Sequence, residues 1–293
     1  MELSSTAIRV VVAAAVALSM ARRGLRKGSL DRSGAAAAFA VGVISLGVGY
    51  RFGLVLIAFY FSGSKLTNVG ADLKLRLDAN YKIGGQRSAE QVLACSLLAT
   101  ALAVVYQWRF GSASDWHRID FVSAAWRSRL IACYIGHYAC CAADTWASEL
   151  GVLSKTEPRL ITTLRKVPPG TNGAVSLVGT TAAAAGGAFI GAVYFVLGLP
   201  FGSAQWQVVV LGAVMGTVGS ALDSLLGATL QLTRFDADAK QICAEDDATT
   251  RRGQQRHVSG MDVLSNAQVN AVSVVLTTAL SASVMEKLMA LTS

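Results

Sequence analysis

Apolar residues gather along this chain in long runs separated by short polar loops. The runs fall at 5–20, 34–50, 52–64, 91–106, 128–150, 176–198, 206–230 and 265–290. A membrane span needs about 20 apolar residues, within a range of about 17–25. The pattern therefore predicts an all-α, polytopic transmembrane helical bundle of about eight spans, seven and nine being the neighbouring counts. The third run is short and is read as continuing toward Gly70. The first run is followed by Arg22 and Arg23, whereas a signal peptide carries its positive charge ahead of the apolar stretch. It is therefore read as an uncleaved first helix. Residues 1–293 read as a single integral membrane domain.

Composition strengthens this reading. Hydrophobic residues make up 53% of the 293 and charged residues only 15%, against about 25% charged in soluble chains. Mean hydropathy is +0.47. The net charge of +8 invites a nucleic-acid partner, but no polar domain gathers basic and aromatic residues, so none is expected. The charge is instead sorted by loop. With eight spans, loops 22–33, 65–90, 151–175 and 231–264 share one face and hold 19 of the 26 lysines and arginines. By the positive-inside rule that face is cytosolic or stromal and both termini lie opposite. The five cysteines form no C-x-x-C pair, so neither a zinc site nor a disulfide framework is expected. Ala182-x-x-x-Gly186, Gly187-x-x-x-Gly191 and Gly212-x-x-x-Gly216 predict close helix packing. Nothing in the pattern sets an oligomeric state.

Four polar clusters fall on the basic face or at span ends opening onto it. Asp144-Thr-Trp-Ala-Ser-Glu149-Leu-Gly151 closes the fifth span. Its two carboxylates are five residues apart and cannot share one helical face. Either the helix breaks or each meets a different neighbour. In the loop 158–173, Arg165 and Lys166 precede Pro168-Pro169-Gly170-Thr171-Asn172-Gly173. Such a turn can form an anion-binding nest suited to phosphate, with the next helix N-terminus behind it; the alternative is a basic loop touching anionic lipid. It is not a Walker A loop, because no G-x-x-x-x-G-K-[ST] occurs. Asp223, Gly227 and Gln231 share one face at the end of the seventh span, where a carboxylate among leucines calls for a cation or a donor. Lys65, Asn68 and Asp72 stand at helical spacing after the third span, read either as a polar site or as a solvated helix end. His137 is read as a packed, hydrogen-bonded helix histidine.

At these residues the sequence resembles a known family. ADTWASELG, PRLITTLRKVPPGTNGAVSLVG and LDSLLGATLQ, with SGSKLTNVGADLK and LSNAQVNAVS, are similar to blocks of the transmembrane protein 19 family. That family is also called domain-of-unknown-function family 92 and includes the plant and cyanobacterial phytyl-phosphate kinases. The similarity runs from about Ser33 to Ser273. QRSAEQVLACS departs from the family pattern, with Ser88 and Cys95 where Asn is expected. More distantly, Asp144-Thr-Trp-Ala147 and Asp223-Ser224 resemble motifs of CTP-using membrane enzymes, the dolichol and phytol kinases and the phosphatidate cytidylyltransferases.

The resemblance implies phosphoryl transfer from CTP, or another nucleoside triphosphate, to an isoprenoid monophosphate such as phytyl phosphate, giving the diphosphate. Phosphoryl transfer asks mainly for positioning and charge neutralisation, and Mg²⁺ takes one or two carboxylates plus substrate phosphates. On this reading Asp144, Glu149 and Asp223 hold the metal, and Asp144, Lys166 and Asp223 are the catalytic set. Lys65, Arg165, Gly170, Thr171, Asn172 and Gly173 bind the cofactor. The partners are membrane lipids and the isoprenoid phosphate, in an endomembrane or a plastid envelope. The competing classes are a membrane transporter, which places its carboxylates near the bilayer midplane, and a non-catalytic lipid-binding membrane protein.

Overall fold

The computed structural model describes residues 2–79, 81, 84–111, 117–243 and 255–292. Lys82, Arg251 and Arg252, counted above among the loop charges, lie outside the described residues. Every apolar run has become helix. In chain order the helices are α1 (Glu2–Lys27), α2 (Arg32–Val48), α3 (Tyr50–Thr67), α4 (Ala71–Leu77), α5 (Ala89–Ala94), α6 (Leu97–Phe110), α7 (Ala125–Gly151), α8 (Leu177–Gly198), α9 (Gln207–Leu230) and α10 (Asn266–Thr292). The segments α8 with its following 3₁₀ turn (Leu177–Phe201), α9 and α10 are each long and apolar enough to cross a bilayer. The 22 residues of α8 rise about 33 Å, matching a hydrocarbon core of about 30 Å. A fourth candidate is the bent pair α3–α4, whose axes turn by 73°. The fold is thus a membrane-type helical bundle with three clear spans, or four with the bent pair, where the hydropathy pattern predicts about eight.

The central helix α7 explains part of that difference. From Ile131 to Ala143 almost every residue is buried by protein, with α3, α6, α8, α9 and α10 around it. A helix shielded from lipid on all sides need not be uniformly apolar, and this one carries His137, Thr145, Asp144 and Glu149. Among the described residues His137 is fully buried. Its Nε2 donates to the Cys95 carbonyl at 2.9 Å, which leaves Nδ1 to accept.

Helix association in lipid rests on close packing because tails and side chains are equally apolar. The three small-residue patterns supply it. A methyl group on Gly187 would strike the Gly212 carbonyl, one on Gly191 the Val208 carbonyl, and one on Gly186 the Ala142 carbonyl. Backbones of α7, α8 and α9 therefore pack almost in contact.

The bundle is not wholly α. Loop 151–175 contains a two-stranded antiparallel sheet, β1 (Arg159–Leu160) with β2 (Ala174–Val175). Loop 231–264 carries β3 (Thr233–Asp236), β4 (Gln241–Ile242) and β5 (Gln255–Ser259), ordered β4-β3-β5. These strands tie the polar loops together. Leu30 pairs with Arg87 and Asp78 pairs with Ile242, while Asn172 N–H donates to Thr233 Oγ1 at 3.2 Å. Four loops distant in sequence thus meet at one end of the bundle, above the ends of α7 and α9.

Candidate functional site

Beneath these loops lies a cavity of about 740 Å³, within the range of about 300–1,000 Å³ typical of small-molecule sites. Its wall is divided chemically. One arm runs between α1, α2 and α3 and is lined by apolar groups such as Met20, Val41, Leu46 and Leu56. The other end is polar and contains Asp144, Asp223, Arg87, Lys74, Glu149 and Asn270.

Asp144 and Asp223 come from different helices and their carboxyl groups lie within hydrogen-bonding reach of each other. Asp223 also accepts from Ser273 Oγ on α10 at 3.0 Å. Among the described residues neither carboxylate is in an ion pair. Two carboxyls in contact cannot both remain charged without a proton or a cation between them.

Glu149 has a different fate, though α7 continues without a break to Gly151. Its Oε2 is 2.5 Å from Lys74 Nζ and its Oε1 accepts from Thr67 Oγ1 at 2.6 Å. The Lys74 ammonium also donates to the Leu66 and Thr67 carbonyls at 3.2 Å each. Tyr81 Oη closes the same cluster by donating to the Thr67 carbonyl at 2.7 Å. Burial and the Glu149 charge hold that phenol above its usual range. Of the two outcomes open for Asp144 and Glu149, each carboxylate has met a different neighbour. The expected three-carboxylate metal set of Asp144, Glu149 and Asp223 is not assembled. Among the described residues no group of three or more His, Cys, Asp or Glu side chains is placed to hold a metal ion.

The loop Gly170–Gly173 does line the cavity, together with Gly227 and Gln231. Gly170 and Gly173 take φ values of +87° and +74°, which side-chain-bearing residues adopt at a cost. Gly173 presses onto α9 so closely that a Cβ there would strike the Ala228 amide and the Ser224 carbonyl. The loop's amides are less open than a nest requires. Thr171 N–H donates to the Pro168 carbonyl, Asn172 N–H to Thr233 Oγ1 and Ala174 N–H to the Thr171 carbonyl. Three donors that a nest would aim at a phosphate are thereby spent inside the protein.

The basic residues expected beside this loop lie elsewhere. Lys166 is exposed and pairs with Glu157 at 2.8 Å; that bond and charge hold the Glu157 carboxyl below its ordinary range. Arg165 donates to the Val258 carbonyl, fastening β1's loop to β5. Lys65 is exposed on α3. Its proposed alignment with Asn68 and Asp72 is lost because the chain turns at Gly70, φ +68°, before α4 begins. None of the three cations lines the cavity. Among the described residues the cations that do are Lys74 and Arg87, which sequence reasoning passed over. Lys74 sits in a polar stretch that reads as a solvated helix end, and only the 73° bend carries it inward. Asn266, Asn270 and Ser273 were also missed as site residues, although their i, i+4, i+7 spacing on α10 marks one face. Of the two departures from the family pattern, Ser88 caps α5 in a capping box with Gln91, whereas Cys95 lines the cavity.

The family described as Integral membrane protein DUF92 matches residues 15–278 of the chain. Protein PGR of Arabidopsis thaliana is 39% identical over 288 residues, 95% of this chain and 96% of its own length. An uncharacterized membrane protein of Synechocystis is 33% identical over 64% of this chain and 67% of its own. Protein VTE6, chloroplastic, of Arabidopsis thaliana is 30% identical over 69% of this chain and 56% of its own. No solved structure matches.

Proposed function

The chain belongs to the integral membrane family DUF92, and on that footing we propose that it is a nucleotide-dependent kinase converting an isoprenoid monophosphate to its diphosphate, with CTP as donor. The observation that carries the reading is the division of one cavity into an apolar arm and a carboxylate-bearing end. A substrate with a hydrocarbon tail and a phosphate head has the same division. The resemblance of the Asp144 and Asp223 motifs to those of phytyl-phosphate kinases and CTP-using membrane enzymes supports the reaction class. Similarity to a relative named as chloroplastic supports a plastid envelope, with the four basic loops on the stromal side and α1, α2 and α6 as further spans.

Asp144 and Asp223 suit Mg²⁺, which takes one or two protein carboxylates and fills its other positions with phosphate oxygens and water. When bound there, the ion would neutralise charge on the phosphates. The chain's own groups do the positioning. Ser273 fixes the Asp223 carboxylate by its hydrogen bond, and α7 and α9 hold the two acids through glycine-mediated contact. Asn266 and Asn270 present amides to the same space. The apolar arm limits water access to the head group, which favours transfer to lipid over hydrolysis.

A non-catalytic lipid-binding protein is the second reading, favoured by the engagement of the Thr171, Asn172 and Ala174 amides within the protein. One assay separates them. Purified protein is incubated with Mg²⁺, γ-labelled CTP or ATP, and phytyl, farnesyl or geranylgeranyl phosphate. Label recovered in the isoprenyl diphosphate is the expected result. Lipid binding without label transfer from either nucleotide overturns the kinase reading.

A further inference from the structure

Arg87 stands where the apolar arm meets the carboxylate end. Its backbone is clamped to the turn between α1 and α2. Arg87 N–H donates to the Ser29 carbonyl at 3.1 Å, and Asp31 N–H donates to the Arg87 carbonyl at 3.1 Å. The backbone is thereby held in place, and the side chain forms part of the cavity wall. There Nη2 lies 3.7 Å from the position a Cβ on Gly63 would occupy, and the Thr145 methyl, next in sequence to Asp144, is 3.3 Å from that same point. Gly63 thus leaves the room that the guanidinium fills. Arg87 Nη1 is buried and has no hydrogen-bond partner among the described residues. A buried donor left unpaired is costly, more so when it belongs to a charged group. The protein holds a rigid cationic fork open toward a cavity, the arrangement suited to bidentate capture of a phosphate.

The neighbours say which phosphate. Arg87 shares the cavity wall with Gln91, Val92 and Tyr60 of the apolar arm and with Cys95 and Asp144. Along α3 the arm extends from Gly63 to Gly53, about 15 Å at 1.5 Å per residue. Part of its wall is the close-packed helix pair α1–α2, where a Cβ on Gly42 would come 3.1 Å from the Ala17 methyl. An extended hydrocarbon advancing about 1.3 Å per bond would place roughly twelve carbons in that length. Among the described residues the lining from α1, α2 and α3 carries no charged side chain.

We infer that Arg87 anchors the acceptor's monophosphate, and that the acceptor is a single-chain lipid whose tail lies between α1, α2 and α3. This rests on the kinase reading above and adds the acceptor subsite to it. Arg87 grips the phosphate already on the lipid, facing the Asp144–Asp223 pair, while the tail sets the register along the arm. The nucleotide phosphates contact the carboxylate side and not Arg87.

The test compares labelled farnesyl phosphate with labelled farnesol, the same tail without the charge, binding to protein in nanodiscs. Wild type is expected to prefer the phosphate by about 10- to 100-fold, the worth of a charge-assisted pair. Arg87→Gln is expected to erase the preference with farnesol affinity unchanged, and Arg87→Lys to keep an intermediate one. In turnover, Arg87→Gln raises KM for farnesyl phosphate at least tenfold and leaves KM for nucleotide within twofold. An unchanged phosphate preference in Arg87→Gln overturns the inference, as does a rise in KM for nucleotide alone. If Arg87→Gln also loses farnesol, Arg87→Lys decides: a retained preference supports the anchor and a lost one overturns it. Wild type that binds farnesyl phosphate through Arg87 and never phosphorylates it overturns the kinase reading alone. A working kinase indifferent to Arg87→Gln overturns this inference alone.

Discussion

Asp144 and Glu149 leave the same helix five residues apart, and the protein treats them in opposite ways. Glu149 is satisfied at both oxygens, by Lys74 and Thr67. Lys74 in turn is wrapped by the Leu66 and Thr67 carbonyls. That end is a fastener joining the α3–α4 bend to α7. Among the described residues Asp144 meets another acid, Asp223, which also accepts from the Ser273 hydroxyl. A folded protein gains little from two buried acids in contact, whereas a site that receives a cation with phosphate needs them. The paired carboxylate reads as structure, and the acid pair is where the proposed function would sit.

Substitution should separate the two regions, and the acid pair should show the larger effect. Asp144→Asn or Asp223→Asn is expected to lower Mg²⁺-dependent turnover by roughly a hundred- to a thousandfold, as removal of key electrostatic groups commonly does. Thermal unfolding should stay close to wild type, because an amide relieves the acid–acid contact. A loss of activity that only tracks loss of folded protein would move Asp144 into the fastener class.

Glu149→Gln should do the reverse. Breaking a buried pair leaves Lys74, whose side chain is 4% exposed, uncompensated at a cost of about 3 kcal/mol. The melting temperature should fall, while the turnover of the remaining folded protein falls far less than in Asp144→Asn. Replacing both partners together, Lys74→Met with Glu149→Leu, should recover much of the stability. If Glu149→Gln instead melts like wild type and is inactive, the two regions are one site.

The smallest effect is expected at the exposed Lys166–Glu157 pair. Lys166→Ala should leave turnover and KM values within twofold, because Lys166 is off the cavity wall. Its signature is in pH. Glu157 is held below its ordinary value by Lys166, so the pair contributes stability above the unfolded carboxylate pKa of about 4.3. That contribution is lost as pH falls through the lowered folded value. Unfolding curves of wild type and Lys166→Ala should therefore differ slightly at pH 7 and converge in acid. A large rise in KM at pH 7 would return Lys166 to the site.

Much of this architecture was legible in the chain. Long apolar runs can only become helices in lipid, and each did. The glycine patterns marked close helix packing, and the structure shows which helices meet there: Gly186 against α7, and Gly187 and Gly191 against α9. The span count was less legible, since hydropathy does not distinguish a helix facing lipid from one facing protein. The sheets were missed for a local reason: strands as short as Arg159–Leu160, and at most the five residues of Gln255–Ser259, carry too little alternation to detect. Within the site, Asp144 and Asp223 stood out as charges in apolar surroundings. Arg87 and Lys74 did not, because each sits in a polar stretch and becomes a cavity residue only through a bend or a clamp made by distant parts of the chain. Lys166 and Arg165 neighbour the loop in sequence, but their side chains engage Glu157 and the Val258 carbonyl and are not part of the cavity wall.

The most direct test of the acid pair is Mn²⁺ binding, a paramagnetic stand-in for Mg²⁺, followed by electron paramagnetic resonance on protein in nanodiscs with and without CTP. The account predicts that wild type holds Mn²⁺ tightly only when CTP is present, that Asp144→Asn and Asp223→Asn each lose it, and that Glu149→Leu with Lys74→Met keeps it. Mn²⁺ binding that survives in both Asp→Asn variants and vanishes in the Glu149–Lys74 double variant would contradict it.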